Sequence, residues 1–139
     1  AEEARIVATY GQRQGPQRPS ALGVRAVADP NTLSNAIAAL EGVTVADEIT
    51  SYVVRLVRAT RDHADLIVGA SPRSAVLLAN AARARAALDG RDYTIPDDVK
   101  APAVPVLRHR LTLSPAAEIE GRDIEALVAD LVEATQAPR

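Results

Sequence analysis

The sequence predicts an all-α fold, a small bundle of about five or six helices with room for one short two-stranded ribbon. Three observations carry that prediction. Apolar residues recur at i, i+3, i+4 and i+7 in several stretches, the spacing that gathers them on one helix face. Seven alanines fall between Ala75 and Ala87, strong helix formers that also let neighbouring helices approach closely. The chain has no Phe, Trp, Met or Cys, and its only aromatic residues are Tyr10, Tyr52 and Tyr93. A core of Ala, Val, Leu and Ile suits packed helices better than an aromatic-poor sheet. With 139 residues and 47% hydrophobic content, the chain can enclose one genuine core.

Taken in order, Glu3, Ile6, Val7 and Tyr10 have helical spacing, and no capping residue precedes them. They read as the last turns of a helix begun upstream. Residues 11–30 are rich in Gly, Pro, Gln and Arg and read as a loop or linker. The expected division is therefore 1–30 as the tail of a preceding domain plus linker, and 31–139 as the helical domain. Leu33, Ala36, Ile37 and Leu40 form one face of a short helix stopped by Gly42. Ile49, Tyr52, Val53, Leu56, Val57 and Thr60 form the clearest stripe, with Thr44 and Asp47 as a capping box at its start.

Ser71-Pro72 opens the next helix, Ser at the N-cap and Pro at the first helical position. Leu77, Leu78, Ala81, Ala84 and Leu88 are its expected buried face, and Gly90 ends it. Tyr93-Thr94-Ile95 is short and β-branched, and Pro96-Asp97-Asp98 has the acids of a helix start. Pro102 and Pro105 are expected to kink or divide that helix. Leu111-Thr112-Leu113 is a second extended scrap, a candidate partner for Tyr93–Ile95. The last helix carries Ile124, Leu127, Val128, Leu131 and Thr135 on one side.

Several chemistries are excluded. Without cysteine there is no disulfide, thiolate or Cys-type zinc site, and His63 and His109 alone cannot make a His-rich metal site. No apolar run reaches the roughly 20 residues a bilayer span needs, and no signal-peptide pattern opens the chain. The composition suits a reducing cytoplasm, the expected location. The phosphate-cradling G-x-x-x-x-G-K-[ST] motif is missing, and the single lysine, Lys100, follows no glycine loop. Asp97 and Asp98 diverge by roughly 100° around a helix axis, so they serve better as first-turn acids than as a catalytic pair.

Charge is uneven. Residues 51–110 hold 10 basic and 6 acidic groups, while both flanks are acidic, within a net charge of −2. That pattern suggests an anion site more than a general nucleic-acid surface. Arg73 stands out because it lies just inside a helix N-terminus, in Gly69-Ala70-Ser71-Pro72-Arg73. A helix start carries roughly +0.5 charge and disfavours a cation there unless an anion joins it, and phosphate is the usual visitor.

Around that arginine stand Tyr52-Val53-Val54, Ala59-Thr60-Arg61, Gly90-Arg91-Asp92-Tyr93, Pro96-Asp97-Asp98-Val99 and Leu107-Arg108-His109-Arg110. In this order and spacing they closely resemble the C-terminal lid subdomain of MoxR-family AAA+ ATPases, related to the lid of the magnesium-chelatase ATPase subunit. The match is strong over 43–113. Pro102 departs from it, standing where the family continues its helix, and the loop Tyr10–Asp29 aligns poorly.

The resemblance implies that residues 1–10 end the ATPase core and that Arg73 is the sensor-2 residue, reaching ATP phosphates held by that core. Ser71 would cap and orient its helix. Arg61, Arg91, Arg108 and Arg110 would shape an interface or serve as intramolecular ties, with Asp62, Asp92, Asp97 or Asp98 as partners. It also implies an ATPase parent using ATP and Mg, neither held by this chain alone. Partners would be the chain's own core, neighbouring subunits of a ring, commonly a hexamer, and proteins with a von Willebrand factor A domain. The client would be a protein remodelled by a chaperone or maturation factor. A different reading of the same arginines is a stand-alone helical module that binds an acidic protein or nucleic acid. The lack of aromatic stacking surface counts against nucleic acid.

Overall fold

The computed structural model describes residues 2–11 and 19–138, and the linker reading of 12–18 lies outside them. The chain divides into two compact units, Ala1–Ser34 and Asn35–Arg139. Within the first, α1 spans Glu2–Tyr10 and a single 3-10 turn spans Pro19–Leu22. The boundary falls within α2, Pro30–Glu41. Asp29 caps α2, its carboxylate accepting from the Thr32 amide at 2.6 Å and the Thr32 hydroxyl at 2.7 Å. The apolar face expected of α2 is not buried, since Leu33 and Ile37 are both more than half exposed.

The second unit is built on α3, Asp47–Arg61, whose stripe from Ile49 to Thr60 is buried residue for residue as the spacing predicts. Thr44 is not its cap. Ala46 holds that position, and Thr44 instead bridges in parallel to Tyr93. The Thr44 amide donates to the Asp92 carbonyl at 2.8 Å, and the Thr94 amide donates to the Thr44 carbonyl at 3.0 Å. With Tyr93 occupied in this way, the extended scrap at Thr112–Leu113 (β2) finds another partner. It pairs antiparallel with β1, Leu66–Val68, setting Leu66 against Leu113 and Val68 against Thr112.

Next, α4 spans Pro72–Leu88, and its buried face is Ser74, Leu78, Ala82 and Ala86. The expected face was rotated from this one. Leu88 is 88% exposed, and the small residues at i+4 spacing are inside. Close approach to a neighbour outweighs side-chain size here, because a methyl group fits where a leucine would force the helices apart. That neighbour is α5, Pro96–Leu107, which forms the most extensive helix contact in the unit. It runs undivided through Pro102 and Pro105. Each proline removes one amide and crowds the preceding turn, but Val99, Ala103 and Leu107 are fully buried and hold the helix in register.

A 3-10 turn at Arg108–Arg110 leads to β2. A five-residue helix not expected from the sequence, α6 (Pro115–Ile119), follows, capped by the Ser114 hydroxyl. α7, Ile124–Ala134, closes the bundle by burying Leu127, Val128, Leu131 and Val132. The described residues thus form seven α-helices and one small ribbon, and none of the helices is long and apolar enough to cross a membrane.

The exit from α4 is fixed by a Schellman motif. Gly90 takes φ +74, its amide donating to Ala87 and the Arg91 amide to Ala86. This aims Arg91 at the first turn of α5, where its two terminal nitrogens donate to both oxygens of buried Asp98 at 2.7 and 2.6 Å. Asp98 also accepts from the Ile95 amide at 2.8 Å, reaching back over the helix start as an N3 acid does. The Arg91 guanidinium, and after it the Ile95 amide, hold the Asp98 carboxyl below its ordinary value, outweighing the opposing effect of burial.

Two outcomes are expected. Leu56, fully buried at the centre of α3, should lose about 3 kcal/mol on Leu56→Ala in urea unfolding. Asp98 titrates below 3.8 in the folded chain, so on acidification the unfolded chain takes up that proton first. The stability contributed by the clamp is then complete above that pH and lost as pH falls through the lower folded-state value. Asp98→Asn should flatten the decline in unfolding free energy as pH falls below about 4.

Candidate functional site

The segment that carries Arg73 is pinned to the end of α3 by two small contacts. Thr60 is fully buried on α3, and its hydroxyl donates to the Val57 carbonyl at 2.7 Å. The same oxygen accepts from the Ala70 amide at 2.9 Å. Next to it, Gly69 lies so close to Arg61 that an added Cβ would stand 2.6 Å from both the Cα and the Cγ of that residue. A donor–acceptor hydroxyl and a missing side chain thus lock 69–70 against the last turn of α3. By spacing Thr60 belongs to the apolar stripe, and Gly69 shows no task in the sequence. Thr60 has the spacing of a core residue, and only the fold shows what its hydroxyl meets.

Ser71 takes the N-cap position of α4, with Pro72 and Arg73 as the first two helical residues. Its expected capping bond is not made. The Ser71 hydroxyl stands 3.4 Å from the hydroxyl of Ser74 and accepts from no backbone amide. Arg73 is exposed. Among the described residues its side chain has no hydrogen-bond or salt-bridge partner, and α4 has no acid in its first turn. A cation therefore stands at the positive end of a 17-residue helix with nothing among the described residues to neutralise it.

The other arginines divide. Arg91 is drawn inward to Asp98 and also reaches Asp89 at 3.0 Å. Arg108 pairs with Glu125 at the start of α7, an acid outside the four expected partners. Arg110 is half-buried, and its Nε has no partner among the described residues. Arg61 is exposed in the last turn of α3, together with Arg58. The structure brings Arg61 and the Ser71–Arg73 turn to the same end of the bundle and places Arg91 in the tie between α4 and α5. Among the described residues, no group of three or more His, Asp or Glu side chains is placed to hold a metal ion.

The family described as AAA lid domain matches residues 58–131. The uncharacterized protein YeaC of Bacillus subtilis is 40% identical over 99 residues, covering 71% of this chain and 31% of that protein. The chaperone MoxR1 of Mycobacterium tuberculosis is 44% identical over an alignment of 75 positions, covering 48% of this chain and 20% of that protein. The chain thus spans a third or less of the length of these curated relatives. A crystal structure of a candidate ATPase from Cytophaga hutchinsonii superposes with a TM-score of 0.77 over 99% of this chain and 43% of its own. At 23% identity, this is a likeness of fold.

The Gly69 contact generates its own test. Gly69→Ala should push the 69–73 turn off α3 and destabilise the chain by about 1–3 kcal/mol in thermal or urea unfolding, the usual cost of overpacking.

Proposed function

The chain belongs to the AAA lid domain family, and from that premise we propose that it is the nucleotide-responsive lid of a MoxR-like AAA+ ATPase acting as a chaperone or maturation factor. One observation carries the proposal: Arg73 stands exposed at the second residue of α4, with no carboxylate partner among the described residues. A planar guanidinium is suited to charge-assisted, bidentate hydrogen bonds with phosphate oxygens. Placed at a helix start, it joins the helix dipole in favouring an anion. Arg73 then acts as the sensor-2 residue, linking the charge state of the nucleotide to the position of the lid.

The residues present fit one part of a nucleotide site. Arg73 would meet phosphate, while the ATPase core would hold the remaining phosphate contacts, the base and Mg. Bound ATP supplies the terminal phosphate whose presence or loss the arginine registers. Thr60 and Gly69 are positioning residues for the turn that carries it, and Ser71 opens its helix. In this reading residues 1–30 are the tail of that core and a linker. The exposed Ile6, Val7 and Tyr10 of α1 support it, since a nine-residue helix has little stability without something to pack on. The parent protein works in the cytoplasm as a ring, commonly a hexamer, with von Willebrand factor A domain proteins among its partners.

The test uses the parent ATPase with Arg73→Ala. Turnover at saturating ATP should fall about tenfold or more, the scale of losing one preorganised donor to a developing phosphate charge. Wild-type turnover in that variant would overturn the assignment. The chain alone should show negligible ATP binding by calorimetry.

A further inference from the structure

Between α3 and α4 lies an open groove of about 480 Å³ whose walls are almost wholly apolar. Val54 and Val57 form one side, and Val76 and Ala79 the other. Val54 is 37% and Val76 60% exposed, so two branched side chains face each other across an unfilled trough. The α3 positions along it run from residue 50 to residue 61, three helical turns or roughly 16 Å at the usual rise. Two packed helices that leave such a trough present the shape that receives a third helix, read by side chains at i, i+3, i+4 and i+7.

The rim gives the trough a sign. Arg58 and Arg61 line it, one turn apart and both exposed, and no acidic residue lines it with them. Neither side chain forms an ion pair or hydrogen bond among the described residues. The apolar floor and cationic edge belong to one continuous surface, distinct from the internally satisfied Arg91 and Arg108.

We propose that the α3–α4 groove is a docking surface for an acidic amphipathic helix of a protein partner. Its aliphatic face would seat on Val54 and Val76, over buried Val57, and its carboxylates would meet Arg58 and Arg61. The complementarity is specific in charge as well as shape. A basic helix would bring like charge to an apolar cleft, where repulsion is least screened. The proposal concerns a protein contact and involves no nucleotide, so it goes beyond the lid reading and can fail or succeed independently of it.

The experiment uses the full chain and two fluorescein-labelled synthetic helical peptides of about 14 residues. Both carry leucines at i, i+3, i+4 and i+7, one flanked by glutamates and the other by lysines. The acidic peptide should bind about tenfold more tightly than the basic one in fluorescence anisotropy at low salt, with the preference shrinking as salt is raised. The double variant Arg58→Glu/Arg61→Glu should reverse the preference, and Val76→Glu should abolish acidic-peptide binding. All three positions are exposed, and circular dichroism checks that each variant folds. Equal affinity for the two peptides, binding of neither, or an unchanged preference in the double variant would each overturn the proposal.

Discussion

The close approach of α4 and α5 is the constraint on which the rest of the bundle depends. Ala82 and Ala86 on α4 and Ala103 on α5 have zero residual accessibility, as do Leu78, Val99 and Leu107 beside them. A chain without Phe, Trp or Met cannot fill a wide gap between helices. It must bring the backbones together, and interiors are packed tightly enough that each added methylene is felt. That requirement settles which face of α4 is inside. It also settles why a helix with two internal prolines stays in one piece, because the burial of Val99, Ala103 and Leu107 offsets the amides it lacks.

Polar contacts then fix both ends of α4. At its entry the Thr60 hydroxyl holds Ala70, and Gly69 admits the backbone of Arg61. At its exit the Schellman turn through Gly90 hands Arg91 to Asp98. Both devices use buried polar groups that are satisfied, which costs little, whereas leaving either partner alone in the core would cost a great deal. A helix held at both ends, with its middle packed on alanines, is a rigid strut. The direction of the first residues of α4, and hence of Arg73, is set by the core.

How much of this was legible in the sequence depended on whether one interaction or several decided the outcome. The stripe of α3 was fully legible because its five apolar positions and Thr60 repeat at helical spacing and nothing competes with them. In α4, leucines and alanines lie all around the helix, and hydrophobicity alone favoured Leu88 over Ala86; proximity to α5 decided otherwise. The ribbon was expected, but its partner was not, since pairing Thr112–Leu113 with β1 depends on Tyr93 being taken by Thr44. The helix at Pro115 was not expected, although Ser114-Pro115 repeats the pattern of Ser71-Pro72. Arg73 was legible as an anomaly because one sequence position, just past Pro72, contradicts the helix dipole. The hydroxyl of Thr60 was illegible because its spacing is that of a core residue.

The arginine excess of the middle of the chain can now be divided by what each side chain meets. Arg91 goes to Asp98, Arg108 to Glu125, and Arg122 in the acidic flank to Asp65. These pairs tie separate elements together and account for charge as structure. Arg58, Arg61 and Arg73 are different: they stand at the end of α3 and the start of α4, all exposed. Arg58 and Arg61 suit the negative end of α3, while Arg73 opposes the positive end of α4. Helix electrostatics therefore explains the first two in part and the third not at all. The turn that carries Arg73 is pinned to α3 by the Thr60 and Gly69 contacts, so the one cation of the three that its helix disfavours is held in place, and an anion from outside is what the proposed lid role would add to it.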